Sequence, residues 1–156
     1  MNLTLMLLMT LIPQTSNVHQ CLSYEPTVVT LSGRLSRQTF PGPPNYQNVR
    51  KGDAREVVWL LNLSSPICVL GNGEAEEEKN VSELQLAFTA PEEQYRQYRP
   101  LLGRKVSVYG TLFHSHTGHH RTRVLVSVNS VRSLRLVTKK GHAPAMNAAG
   151  IRYRSR

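Results

Sequence analysis

The sequence predicts an all-β protein: a small OB-like barrel of five strands in Greek-key order, with one short helix between strands 3 and 4. Three observations support this fold class. Short segments that alternate apolar and polar residues recur along the chain. Proline and glycine clusters separate these segments. One stretch between the third and the fourth of them has the composition of a helix start. Five strands with a helix in that position match the OB-fold.

The first three strands are predicted from hydrophobic periodicity. Residues 24–35 alternate with a period of two, through Val29, Leu31, Gly33 and Leu35, and the glycine is suited to a bend. Residues 56–63 are almost continuously apolar, which is typical of a strand buried on both faces, and residues 66–70 continue it after a kink. Residues 82–89 again alternate apolar and polar side chains and predict the third strand. Before this strand, residues 71–80 hold four glutamates and two glycines and are predicted to be a solvated loop.

A short helix is predicted after the third strand. Pro91 suits the first helical position, and the two glutamates that follow it complement the positive end of the helix dipole. Tyr95 and Tyr98 form an apolar stripe, and Gly103 is placed to end the segment.

Residues 106–128 predict a hairpin made of the last two strands. Its apolar residues fall on one face of each strand, namely Val106, Val108 and Leu112 on one and Val124, Val126 and Val128 on the other. A three-residue turn at 117–119, with Gly118 supplying the left-handed backbone, sets Leu112 opposite Val124 and His116 opposite His120. A two-residue turn would send the second apolar row to the wrong face.

Three parts of the chain are predicted to differ in role. Residues 1–20 carry no charged side chain and contain a short apolar run, which favours a signal peptide; a buried N-terminal helix or strand is the alternative. Residues 21–137 form the OB-like β-barrel domain. Residues 138–156 show no periodicity and hold five of the nine net positive charges, which predicts a basic disordered tail.

Cys21 and Cys68 are the two cysteines of the chain. If the protein is exported to an oxidising compartment, the simplest expectation is one disulfide between them. A two-cysteine metal site is the alternative.

Two loops carry the most distinctive chemistry and are expected to share one rim. In the OB-fold the loops after strands 1 and 4 flank the usual ligand face. Here they would be residues 40–46, rich in proline, and residues 114–120, rich in histidine. The rim predicted to hold a ligand consists of Phe40, Tyr46, His114, His116 and His120. The proline-rich stretch could equally be a plain, stiff connection between two strands.

The histidines also suggest a metal site, with His114, His116, His119 and His120 as ligands for zinc or copper. A solvated polar turn is the competing interpretation. The chain offers no nucleophile elbow, phosphate loop or metalloprotease helix, so it is not expected to be an enzyme. Hydrolysis would require a metal-activated water and therefore depends on the metal site.

Several phrases occur together in a characteristic order: CLSYEPTVVTLSGRL, FPGPPNY, GD, PICV, LQL and LLGRKVSVYGTLFHSHTGHH. Between about Cys21 and Val131 the chain resembles a family of exported bacterial proteins described as a domain of unknown function (DUF4431). The resemblance implies export and a single domain. It implies no activity, ligand or catalytic residue.

Taken together, the sequence favours a periplasmic or secreted binding module, expected to be a monomer, whose partner is an envelope polymer or protein. The alternative is a zinc- or copper-binding protein. Nucleic acid is not an expected partner, because the positive charge is concentrated in the tail and export separates the chain from cytoplasmic nucleic acid. No transmembrane segment is predicted in the mature chain, because the N-terminal apolar run is too short to span a bilayer.

Overall fold

A computed structural model describes residues 21–134 of the chain. The predicted signal peptide at 1–20 and the predicted basic tail at 138–156 lie outside the described residues. The described elements, in order, are β1 (Leu22–Ser23), β2 (Val28–Pro41), a 3-10 turn (Val49–Lys51), β3 (Arg55–Leu70), β4 (Glu78–Phe88), α1 (Pro91–Tyr98), a second 3-10 turn (Arg99–Leu101), β5 (Lys105–His114) and β6 (Val124–Ser133).

Strands β2 to β6 close into a five-stranded barrel, which confirms the predicted fold class. β2 pairs antiparallel with β3 and with β5, β3 pairs with β4, and β5 pairs with β6. A parallel pairing of β4 with β6 completes the circle. This is the strand order of an OB-type Greek-key barrel, and α1 lies between the third and the fourth barrel strands as predicted. β1 adds a two-residue parallel pairing to the end of β3.

Gly33 lies where β2 changes partner. It is opposite Leu63 of β3 and also opposite Val106 of β5, so β2 serves both halves of the barrel. A Cβ atom at this position would collide with the backbone carbonyl of Asn62. The close approach of the two backbones therefore requires glycine, as the expectation of a bend at this residue suggested.

The barrel interior is filled by the alternating apolar residues of all five strands. The fully buried ones include Leu35, Leu61, Leu84, Val108, Leu112 and Val126. Helix α1 covers one end of the barrel: Tyr95 stacks on Trp59 with ring centroids 5.3 Å apart, and Tyr98 is buried. Truncating one of the enclosed leucines to alanine would cost about 2–5 kcal/mol.

The predicted hairpin has the right strands but the wrong register. Leu112 lies opposite Val126, and Gly110 lies opposite Val128, two residues away from the predicted pairing. A shift of two keeps every side chain on its face, so the apolar rows point inward as expected. The connection is not a three-residue turn: β5 ends at His114 and β6 begins at Val124, which leaves nine residues, 115–123, in the loop.

Two further differences concern β3 and β4. β3 is one strand from Arg55 to Leu70, and its pairing with β4 shifts between Asn62 and Ile67, where Pro66 cannot donate to the ladder. β4 begins at Glu78, so the end of the predicted acidic loop belongs to a strand.

The predicted disulfide is confirmed. Cys21 and Cys68 are bonded and join the segment before β1 to the end of β3. Within residues 21–134, no helix is long and apolar enough to cross a membrane.

Candidate functional site

The loop between β2 and β3, residues 42–54, is called the proline loop below, and a buried carboxylate organises it. Asp53 accepts backbone N–H groups from Asn45, Gln47 and Asn48 at 2.7–2.9 Å. The hydrogen bond from the Asn48 backbone is the largest influence on the carboxyl group, and its pKa is held below the ordinary value. The loop is therefore folded around one ionised acid, which positions Tyr46 at its tip.

The loop between β5 and β6, residues 115–123, is called the histidine loop below. Its residues 116–119 are exposed, and it is bound to β4 through the side chain of Gln85. That side chain accepts the Arg121 backbone N–H at 2.6 Å and donates to the His119 carbonyl at 3.2 Å. The backbone N–H of Gln85 donates to the Thr122 hydroxyl at 2.9 Å. Three hydrogen bonds thus hold the loop across the outer face of the sheet.

This position of the histidine loop explains an unusual apolar patch outside the barrel. Val58, Leu60 and Leu125 face away from the main core, yet they are 4%, 2% and 0% exposed. Glu56 precedes Val58 on the same face, and Gln85 pairs with both Leu60 and Leu125. Since the loop is bound to Glu56 and Gln85, it lies over these side chains. The face that OB-type barrels usually leave for ligands is covered here by the chain's own loop.

Glu56 fastens the histidine loop to the start of β3. One of its oxygens accepts a hydrogen bond from His119 Nδ1 at 2.7 Å, and the other accepts one from Arg121 Nη2 at 2.6 Å. Burial alone would raise the pKa of this carboxyl, but the hydrogen bonds from His119 and Arg121 and their charges outweigh it, and the pKa is lowered. Glu56 is therefore ionised and pairs with Arg121 in a site where both side chains are mostly buried.

His119 continues the network to the proline loop. Its Nδ1 is bonded to Glu56, and its Nε2 forms a hydrogen bond with the Tyr46 hydroxyl at 3.1 Å. The order of groups along this network is carboxylate, imidazole, hydroxyl.

Aromatic contacts complete the junction. The Arg121 guanidinium lies 5.3 Å from the Phe40 ring centroid and 5.4 Å from that of Tyr46. The Tyr46 and His119 rings meet edge to face at 5.4 Å, and a Cβ atom at Gly118 would lie 3.3 Å from the Tyr46 ring. Phe40, Tyr46, His119 and Arg121 are called the loop rim below, and Glu56 holds His119 and Arg121 in place within it. The expectation that these two loops meet is consistent with this geometry.

Of the predicted rim residues, the structure brings Phe40 and Tyr46 together but places the three predicted histidines elsewhere. His116 and His120 form a pair with ring centroids 4.6 Å apart, and the His116 backbone N–H donates to His120 Nδ1 at 3.0 Å. Burial lowers the pKa of His120, and the neighbouring His116 and His119 lower it further. His120 is therefore held as a neutral acceptor beside the Phe113 ring.

His114 lies in a third environment, at the end of β5. Its Nδ1 contacts the Ser115 carbonyl at 2.9 Å, and its Nε2 is 3.5 Å from Glu78. Its ring meets that of Tyr24, whose hydroxyl is buried and has no hydrogen-bond partner in residues 21–134. Burial, followed by the charge of Glu78, raises the pKa of this tyrosine.

The four histidines predicted as metal ligands therefore do not form one group in this structure. His114, His119 and the His116–His120 pair contact separate sets of residues. In the described part of the chain, no three or more histidine, cysteine, aspartate or glutamate side chains are arranged to hold a metal ion. Metal binding thus stays a prediction, and the closest pair of imidazoles is His116 with His120.

Sequence reasoning missed the residues that build the junction. Two acids beside a turn, such as Asp53 and Glu56, are usually surface charges, yet Asp53 organises the proline loop and Glu56 fastens the histidine loop to β3. Arg121 and Gln85 had no assigned role. Their contacts join residues 36 to 65 positions apart, so no local pattern indicates them.

Fold and junction define the class of protein: a small disulfide-bonded OB-type barrel whose two rim loops are fastened to each other. Residues 83–132 match the model of a protein family described as a domain of unknown function (DUF4431), which confirms the resemblance over that stretch. The matched stretch runs from within β4 to β6 and includes the whole histidine loop. No curated protein matches the chain.

Proposed function

We propose that this protein is an exported bacterial binding module, periplasmic or secreted, that holds a polymer of the cell envelope at the loop rim. The observation that carries the proposal is the fastening of the proline loop to the histidine loop through Tyr46, His119, Arg121 and Glu56. A rim whose side chains are held in place loses little conformational entropy when it binds. The disulfide is consistent with an oxidising compartment.

The chemistry of the loop rim favours a ligand with ring faces and oxygen acceptors. The Phe40 and Tyr46 rings offer partly exposed aromatic surface, and 55% of the His119 side chain is exposed. The Nε donor of Arg121 is buried and has no acceptor in residues 21–134. The exposed polar groups of the rim are the Tyr46 hydroxyl and the His119 ring, and these are the groups that the oxygen atoms of a sugar would meet. The proposal assigns binding and no catalytic step.

Retention of the purified, disulfide-bonded protein on isolated peptidoglycan sacculi tests the proposal. The variant Tyr46→Ala removes an aromatic ring from the loop rim, and the variant His119→Ala removes an exposed imidazole. Tyr109→Ala is the matched control, because Tyr109 is 47% exposed on β5 and takes no part in the junction. Loss of retention in both rim variants, with retention kept in the control, is expected.

Two outcomes contradict the proposal. One is the absence of any retention of the unmodified protein on sacculi. The other is equal retention of all three variants, which would mean that the loop rim is a structural junction and nothing more.

A further inference from the structure

A second cleft lies away from the loop rim, between α1 and the paired ends of β2 and β3. Its volume is about 410 Å³, and its lining residues are Arg37, Val57, Trp59, Tyr95, Arg96 and Arg99. Arg37 is directly opposite Trp59 in the β2–β3 ladder, and Val57 precedes Trp59 on the same face. The second wall comes from α1 and the 3-10 turn that follows it.

The walls of this cleft carry three uncompensated positive charges. Arg37, Arg96 and Arg99 are all exposed. Within residues 21–134, none of the three forms an ion pair, and none donates a side-chain hydrogen bond to another residue. No carboxylate lines the cleft. Glu56 acts on Tyr95 of the lining but is already paired with Arg121 and His119.

The floor of the cleft is apolar. Trp59 stacks on Tyr95 at an interplanar angle of 30°, and Val57 leaves 47% of its surface exposed. Trp59 itself is 5% exposed and supports the floor, whereas the exposed valine beside the partly exposed Tyr95 is a surface on which a ring can pack. Three guanidinium groups around such a floor are suited to an oxyanion, because guanidinium binds carboxylate and phosphate with two parallel hydrogen bonds.

We infer that this cleft is a binding site for a small anionic ring compound, an acidic sugar bearing a carboxylate or a phosphate. The oxyanion lies against Arg37, Arg96 and Arg99, and the ring packs on Val57 and the partly exposed Tyr95. The volume is that of a small-ligand site. The site uses no residue of the loop rim, so it stands or falls independently of the function proposed above.

Occupancy is measured by titration calorimetry, because the single tryptophan of the chain, Trp59, is only 5% exposed and stacks on Tyr95. Titrations of the full protein with glucuronate and with glucose 6-phosphate distinguish a carboxylate from a phosphate ligand, and neutral glucose is the control. A saturable heat change is expected with at least one of the two anions and none with glucose.

The variants Arg96→Gln and Arg99→Gln keep most of the side-chain length and remove the charge. Each is expected to weaken binding by about ten- to a hundredfold, since a hydrogen bond to a charged group is lost. Arg132→Gln is the matched control, because Arg132 is an exposed arginine of β6 outside the cleft. Tyr46→Ala is expected to leave the affinity unchanged.

Each of the following results overturns the inference: no saturable change with either anion, an equal change with glucose, or an equal loss of affinity in Arg132→Gln. Tight binding of a single-stranded oligonucleotide with a steep salt dependence, in the absence of sugar binding, would also overturn it and assign the cleft to nucleic acid.

Discussion

Replacing Glu56 by glutamine is expected to lower the free energy of unfolding by about 2 kcal/mol. The Arg121 side chain is 13% exposed and that of Glu56 23%, so the hydrogen bond between them is largely shielded from water. Such a bond to a charged group contributes about 1.5–3 kcal/mol. His119 is 55% exposed, so its pair with Glu56 is worth under about 1 kcal/mol. Glutamine keeps one acceptor oxygen, which reduces the loss.

The measurement is urea denaturation followed by tryptophan fluorescence, in a double-mutant cycle of Glu56→Gln with Arg121→Met. The coupling energy between the two positions is expected to exceed about 1 kcal/mol. Glu83→Gln is the control, because Glu83 lies on β4 and forms no ion pair within residues 21–134. Additive effects, within about 0.5 kcal/mol, would refute the view that Glu56 and Arg121 act as one unit.

The same carboxylate predicts a pH dependence. The pKa of Glu56 is lowered in the folded protein. The ionised carboxylate therefore stabilises the fold in full above the ordinary glutamate pKa of about 4.3, and this stabilisation is lost as the pH falls through the lowered pKa of the folded protein. The unmodified protein is therefore expected to lose more stability than Glu56→Gln between about pH 5 and about pH 3. Parallel loss in both proteins, measured by the same denaturation, would contradict the assignment.

Three further predictions concern other parts of the chain. Replacing both Cys21 and Cys68 by serine opens a loop of 47 residues and is expected to lower the free energy of unfolding, measured in urea, by about 4 kcal/mol. A loss under about 1 kcal/mol would argue against a stabilising role of the disulfide. Gly33→Ala is expected to lower the melting temperature by several degrees, because its Cβ meets the backbone of β3. Calorimetric titration with zinc is expected to give only weak binding, because His116 and His120 supply half of a tetrahedral shell; tight stoichiometric binding would contradict the observed separation of the histidines.

The fold class could be predicted from the sequence because each barrel strand carries its own signal. Alternation at Val106, Val108 and Leu112 and the helix start at Pro91 are local patterns, and both are found where expected. The register of the last hairpin could not be predicted. Hydrophobic alternation excludes a register shift by an odd number of residues, but a register shift of two residues leaves both apolar rows inside the barrel.

The junction between the loops was predictable only in part. That residues 40–46 and the histidine-rich stretch share a rim follows from the strand order. Which side chains meet there depends on how far the histidine loop folds back, and that is set by Gln85 and Glu56 on distant strands. A glutamate at the start of an apolar strand is the one local hint: an ionised group on a buried strand needs a partner.

The parallel pairing of β4 with β6 has a consequence for how the chain reaches its native state. β6 is the last strand of the described residues and supplies the final partner for both β4 and β5. Until residues 124–133 are synthesised, those two strands remain open edges able to pair with other chains. The β4–β6 contacts that close the circle join residues about 40 positions apart, so closure is expected to be a late and comparatively slow event. A chain cut within the histidine loop would lack its last strand and be prone to aggregation.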